Sequence, residues 1–158
     1  DLGFFGEPFF EDGPVAEAVR AAVKGGVSYH SSAGNEAGGH LEQDFVAGPN
    51  TTLHEFAPGD NTETVIVPGP GRLTCILQWN DPFGGSGNDY DLFLLDQDLN
   101  VVTTSIDPQV GAQDPIEVVA LQQVTAAHPP ASPGRRHVRI LYAAQTAVAQ
   151  RVTFGYAE

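Results

Sequence analysis

The chain has 158 residues, 41% of them hydrophobic, which suits one domain or a little more with a real core. Twenty acids against seven bases give a formal net charge of −13, which excludes nucleic acid and anionic membrane as expected partners, because phosphate binding needs clustered Lys and Arg. No stretch approaches the roughly 18 apolar residues of a membrane-spanning helix. The one cysteine, Cys75, lies in an apolar run and reads as a small buried hydrophobe rather than half of a disulfide. The chain has no methionine, even at position 1, and no signal peptide opens it, so it reads as excised from a longer polypeptide.

In chain order, the first expected element is a helix. Asp12-Gly13-Pro14 is a helix start with Pro near the first position. Val15, Val19, Ala22 and Val23 then recur at helical spacing on one face, and Gly25-Gly26 is the stop. Residues 27–31 follow as an expected strand, leading into Ser31-Ser32-Ala33-Gly34 and then Asn35. One helix and one strand cannot bury both faces of a sheet, so this first zone is too little to fold alone.

After a linker over residues 46–52 the pattern changes to short β-rich runs at 54–56, 64–67, 72–79, 90–96, 101–105, 116–121, 137–142 and 150–156. Leu73, Cys75, Leu77 and Trp79 share one face of their run, as do Val138, Ile140 and Tyr142, and Val152, Phe154 and Tyr156. Period-two alternation means one buried and one wet face per strand. Turn signals at Pro58-Gly59-Asp60, Pro68-Gly69-Pro70-Gly71 and 129–134 separate the runs. The expected fold class is mainly β: an antiparallel β-sandwich or jelly roll of about eight strands, preceded by one helix–strand α/β unit. The expected boundary divides the chain into 1–50 and 51–158.

Asn35 is the first candidate for chemistry. A carboxamide N–H can point at a developing oxyanion without itself taking a proton, and small neighbours let a substrate backbone lie close. The same Gly-Asn dipeptide also suits an ordinary turn, in which Asn35 only tolerates a left-handed conformation. The five histidines, His30, His40, His54, His128 and His137, are scattered without metal-type spacing, and His30 reads as a packed or edge residue.

The order Gly13-Pro14-Val15-Ala16-Glu17-Ala18-Val19, Ala22-Val23, Gly25-Gly26-Val27, then Ser32-Ala33-Gly34-Asn35-Glu36 resembles the oxyanion-hole segment of subtilisin-like serine peptidases. The likeness covers about 25 residues, counted along the sequence. It implies that Asn35 is the oxyanion-hole asparagine and that Ser32, Ala33 and Gly34 form one wall of the primary specificity pocket. The glycine that the family places two residues after this Asn is Ala37 here, with Gly38-Gly39 following. The family's Asp-(Ser/Thr)-Gly, His-Gly-Thr and Gly-Thr-Ser motifs are absent, so nucleophile and base would come from elsewhere in a larger enzyme. Without them acyl transfer cannot be completed, and the chain alone is expected to be inactive.

The second informative stretch runs from Asn80-Asp81-Pro82 through Gly84-Gly85-Ser86-Gly87 to Asn88-Asp89-Tyr90-Asp91. Asp89 and Asp91, two apart in an expected strand, project to one face, and a glycine loop turning its carbonyls toward them would suit calcium. The alternative is a solvated strand edge that uses acids against edge pairing. No cofactor is required; calcium is the one metal the pattern suggests. The run Asp89-Tyr90-Asp91-Leu92-Phe93-Leu94 also resembles a strand of pre-peptidase C-terminal β-sandwich domains, accessory modules of secreted peptidases, some of them calcium-binding.

Together these resemblances imply a fragment of a secreted, extracellular subtilisin-like endopeptidase with a polypeptide substrate. A non-catalytic, calcium-dependent β-sandwich binding module for protein or polysaccharide is the rival. Nothing in the pattern sets an oligomeric state.

Overall fold

The computed structural model describes residues 4–32, 39–68, 72–122, 135–144 and 151–157. Among these the chain is mainly β, with one helix and two antiparallel sheets.

The helix, α1 (Pro14–Lys24), begins and ends where the sequence places it. Its first amides lack helical partners, and the Glu7 carboxylate supplies one by accepting the Val15 N–H at 3.2 Å. Glu17 in the first turn and Lys24 in the last complement the helix dipole. Gly13 is required by close approach, since a Cβ there would sit 2.5 Å from both Glu7 Oε2 and Pro8 Cδ. At the other end the Val27 N–H bonds the Ala22 carbonyl and the Gly26 N–H bonds the Val23 carbonyl, with Gly26 at φ +87°. That paired closure needs a left-handed residue, which glycine adopts without strain.

The expected strand at 27–31 does not form. Residues 27–32 are exposed, Val27 by 58% and Tyr29 by 51%. A strand is held by hydrogen bonds to a neighbour, and among the described residues none lies alongside this segment. No residue of α1 is buried either, and Val15 and Val23 on its apolar stripe are exposed.

A strand that the sequence pattern misses appears next: β1 (His40–Asp44), with alternating exposure and only Leu41 apolar. It lies at the edge of the first sheet, antiparallel to β8 (Arg151–Ala157), with Glu42 opposite Thr153. The segment upstream of Thr51 therefore contributes a strand to the β unit. The run at 54–56 reduces to an isolated bridge between Ala47 and His54. The remaining strands match their expected positions: β2 (Glu63–Pro68), β3 (Leu73–Trp79), β4 (Tyr90–Leu95), β5 (Val101–Ser105), β6 (Ile116–Leu121) and β7 (Arg135–Ala144).

The first sheet runs β1-β8-β3-β6 and the second β2-β7-β4-β5. From β1 to β8 every step along the chain changes sheet except β4 to β5, so nearly all pairing is between distant segments. One buried cluster joins the two sheets. Leu73, Cys75, Leu77 and Trp79 of β3, the face read from the sequence, are each 0% exposed and meet Tyr90, Leu92 and Leu94 of β4. Val65 and Val67 of β2, Val119 of β6, Ile140 of β7 and Phe45, just after β1, complete it among the described residues. Each such side chain contributes about 1.5–3 kcal/mol by leaving water. The partners of Ile140 in the pattern, Val138 and Tyr142, and those of β8 lie outside the described side chains.

The opposite face of β3 is covered by the N-terminal segment. Gln78 is fully buried; its amide donates to the Phe5 and Glu7 carbonyls at 3.0 and 2.9 Å and accepts the Phe9 N–H at 3.1 Å. One side chain thus holds three points of backbone, and Glu11 adds a fourth by accepting the Phe83 N–H at 2.7 Å.

Candidate functional site

Of the residues expected to carry chemistry, Ala33, Gly34 and Asn35 lie outside the described residues. Ser32 is described: it is exposed, and its carbonyl accepts the Ser31 hydroxyl at 3.2 Å. His30, just upstream, is exposed rather than packed, and its Nε2 lies 3.2 Å from the Ser28 hydroxyl.

The glycine-rich loop before β4 is ordered in the opposite sense to a carbonyl cage for a cation. Its N–H groups point inward, onto carboxylates. Asp81 Oδ2 accepts the Gly87 and Asn88 amides at 3.0 and 2.8 Å and the Ser86 hydroxyl at 3.0 Å, and the Asn88 side-chain amide reaches both Asp81 oxygens. The Gly84 amide donates to Asp114 at 2.8 Å. Burial alone would push the Asp81 carboxyl up, but the Asn88, Ser86 and Gly87 hydrogen bonds outweigh it and hold the group below its ordinary value. The loop is anchored to the core through Ser86, whose Oγ accepts the buried Trp79 indole N–H at 3.0 Å. Only a small residue with a hydroxyl fits here, because Ser86 itself is 0% exposed.

Asp89 and Asp91 stand in different settings. Asp89 precedes β4 and its Oδ1 accepts the Gln109 N–H at 3.2 Å, whereas Asp91 lies within β4 and is buried. The residue that ties this region together is Gln109, from the loop between β5 and β6. Its Oε1 accepts the Tyr90 N–H at 3.3 Å, and its Nε2 donates to the Asp107 carbonyl and to Glu117 Oε1, the latter at 2.6 Å. Glu117 sits on β6 opposite Leu77, is 1% exposed, and leaves Oε2 without a hydrogen-bond partner. Burial raises its pKa above the ordinary value; hydrogen bonds from Ser105 and Gln109 pull it back, and the nearby Asp107 and Asp91 push it up again. Among the described residues no three His, Cys, Asp or Glu side chains converge as a ready-made metal cage. The sequence reading missed Gln109 and Glu117. The signal was there in Glu117, an acid on the inward-facing register of an otherwise apolar strand.

His54 is the second residue whose setting the sequence did not reveal. It is 1% exposed and lies in a run of rings, 4.8 Å from Phe56 and 5.4 Å from Phe45, which in turn meets Tyr90 at 5.2 Å. Its Nδ1 accepts the Val46 N–H at 3.1 Å, so the neutral ring carries its proton on Nε2, where it faces the Gln43 amide. That assignment requires Gln43 to offer its oxygen. Burial lowers the His54 pKa to about 4, against smaller opposing contributions from the Val46 backbone and Glu55. Cys75, also buried, has its thiol pushed up to about 12 by desolvation and is inert at ordinary pH.

No family model and no curated protein matches the chain. Among solved structures it is similar to the enzymatically active domain of tailspike protein 4 of bacteriophage CBA120, with a TM-score of 0.32 and 14% identity, over 75% of this chain and 19% of that one. This chain thus spans a minor part of that structure, and a likeness at that level bears on neither fold assignment nor function. Among the described residues no helix is long and apolar enough to cross a membrane.

Proposed function

We propose that this chain is part of a secreted, extracellular subtilisin-like serine endopeptidase. In this reading Asn35 donates to the oxyanion, Ser32, Ala33 and Gly34 line one side of the primary specificity pocket, and a polypeptide is the substrate. The catalytic Asp, His and Ser come from other parts of the enzyme. The β unit is an accessory sandwich of jelly-roll type, which takes its edge strand β1 (His40–Asp44) from upstream of residue 50.

One observation carries the reading. The chain places a helix, a double-glycine stop and an exposed segment directly ahead of Ser32-Ala33-Gly34-Asn35, at the spacing of the peptidase segment it resembles. Val15 and Val23 on the apolar stripe of α1 are exposed, which suits a helix packed against further parts of a larger domain. The neutral amide then acts in a water-poor site on charge that only the transition state develops.

The test has two parts. The 158-residue chain by itself is expected to leave a fluorophosphonate serine probe unreacted, while the full-length polypeptide that contains it reacts. In that polypeptide Asn35→Ala is expected to lower kcat by about 10²–10³ with KM little changed, the loss known from subtilisin itself rather than one deduced from this chain. An unlabelled full-length protein, or equal losses in kcat and substrate affinity, sinks the assignment.

A further inference from the structure

Asp81 shows how this fold treats a carboxylate that it takes in: both oxygens are met by N–H or O–H groups. Glu117 has no such shell. It lies on β6 opposite apolar Leu77 of β3 and is 1% exposed. Its Oε1 takes the Gln109 amide at 2.6 Å, while Oε2 is sealed from water with no hydrogen-bond partner. The charges that act on it, from Asp107 in the loop and Asp91 on β4, are both negative, and the groups that donate to it, Ser105 on β5 and Gln109, are neutral. An ionised carboxyl in that setting is strongly unfavourable. A protonated one suits it, because Oε1 is then a carbonyl oxygen facing the Gln109 N–H and Oε2 carries the proton.

We propose that Glu117 is a proton-dependent clasp: as the neutral acid, with its proton on Oε2, it holds the loop over residues 106–115 to β4 and β6 through Gln109, and its ionisation releases that end of the loop. Gln109 is the joint. It is 4% exposed, its Oε1 accepts the Tyr90 N–H, and its own N–H donates to Asp89. β6 is an edge strand whose ladder runs to β3, so water reaches a charged Glu117 from the loop side, by displacing Gln109. The proton that leaves Oε2 goes to that water. The far end of the loop has separate ties: the Ser86 N–H to the Gln113 carbonyl at 2.9 Å and the Gly111 N–H to the Ser86 carbonyl at 2.7 Å. Neither tie involves a titrating group, so the loop swings about Gly111, at φ +101°, rather than coming away whole. The direction follows from burial, which raises the folded pKa of Glu117 above its ordinary 4.5. Its contribution to stability is complete below pH 4.5 and is lost as pH rises through the raised value. The clasp is independent of the peptidase assignment.

Amide exchange of the 158-residue chain tests the proposal, read by NMR from about pH 5 to about pH 9 and corrected for the intrinsic pH dependence of exchange. Protection at Gln109 and Tyr90 is expected to fall by up to about tenfold per pH unit once Glu117 ionises, while Ser86 and Gly111 keep theirs. Glu117→Gln keeps the size and an acceptor oxygen for Gln109 but cannot ionise, so its protection at the same two amides is expected to be independent of pH. The Glu117 carboxyl carbon resonance of the unaltered chain is expected to titrate above pH 4.5, in step with the loss of protection. That measurement decides the matter if the variant does not fold. Four results overturn the proposal: protection at Gln109 and Tyr90 that ignores pH, an equal pH dependence in Glu117→Gln, an equal loss at Ser86 and Gly111, or a Glu117 midpoint at or below 4.5.

Discussion

His54 illustrates how a side chain acquires its chemistry from packing. In the sequence it is one of five scattered histidines; in the fold it is a neutral, fully desolvated ring wedged between Phe45 and Phe56. Its pKa falls from 6.5 to about 4 on folding, so the unfolded chain binds the proton more readily than the folded one. The stability His54 contributes is therefore fully present above pH 6.5 and is lost as pH falls toward 4. Over that window the loss approaches about 3 kcal/mol. Urea unfolding of the unaltered chain and of His54→Phe, at a series of pH values, isolates it: the difference between the two should shrink steadily from pH 7 to 4. A difference that does not change with pH would mean that the ring is already charged or solvated. Aromatic replacement preserves the ring stack but strands the Val46 N–H, so His54→Phe is expected to be the less stable protein at neutral pH by about 1–3 kcal/mol.

At the scale of elements, the two ends of the chain's first fifty residues behave differently. The segment ahead of α1 is held to β3 by Gln78, whose three hydrogen bonds all go to backbone atoms and so fix position without reading side chains. Phe4 and Phe9 remain 56% and 42% exposed despite that docking. Gln78→Ala removes the clasp and leaves the sheet's hydrogen bonds in place. Amide exchange at Phe9 is expected to accelerate by about tenfold or more while exchange in β3, β4 and β6 stays slow. Uniform acceleration everywhere would mean instead that Gln78 supports the whole fold. Residues 27–31, with β-prone Val27 and Tyr29, are exposed and pair with no described strand. β1 makes the converse point. His40-Leu41-Glu42-Gln43-Asp44 has almost no hydrophobic signal, yet it pairs because an edge strand needs only one neighbour and tolerates charge on its free side.

For the whole molecule, topology sets the kinetics. Strands adjacent in sequence lie in different sheets at every step but one, so every ladder except β4–β5 closes a long loop before it contributes a hydrogen bond. Refolding from denaturant, followed by Trp79 fluorescence, is expected to take milliseconds to seconds. A sub-millisecond main phase would indicate that local contacts dominate and that the pairing order described above is wrong. The net charge of −13 adds to this picture, because self-repulsion opposes compaction.

Sequence alone determined the elements whose information is local. The helix and its limits follow from Pro14, the valine stripe and Gly25-Gly26; the buried face of β3 follows from alternation at Leu73, Cys75, Leu77 and Trp79. Both depend on periodicity and backbone preference, which neighbouring residues carry. The resemblance of Ser32-Ala33-Gly34-Asn35 to a peptidase segment is likewise a property of the sequence. Tertiary structure decided what depends on distant partners: that β1 pairs with β8, that residues 27–31 pair with no described strand, that the glycine loop turns amides onto Asp81, and that Gln109 and Glu117 meet as a buried polar pair. The reason is common to all four. A hydrogen bond or a desolvated charge is defined by the group opposite it, and in a fold that crosses between sheets at almost every step that group lies far along the chain.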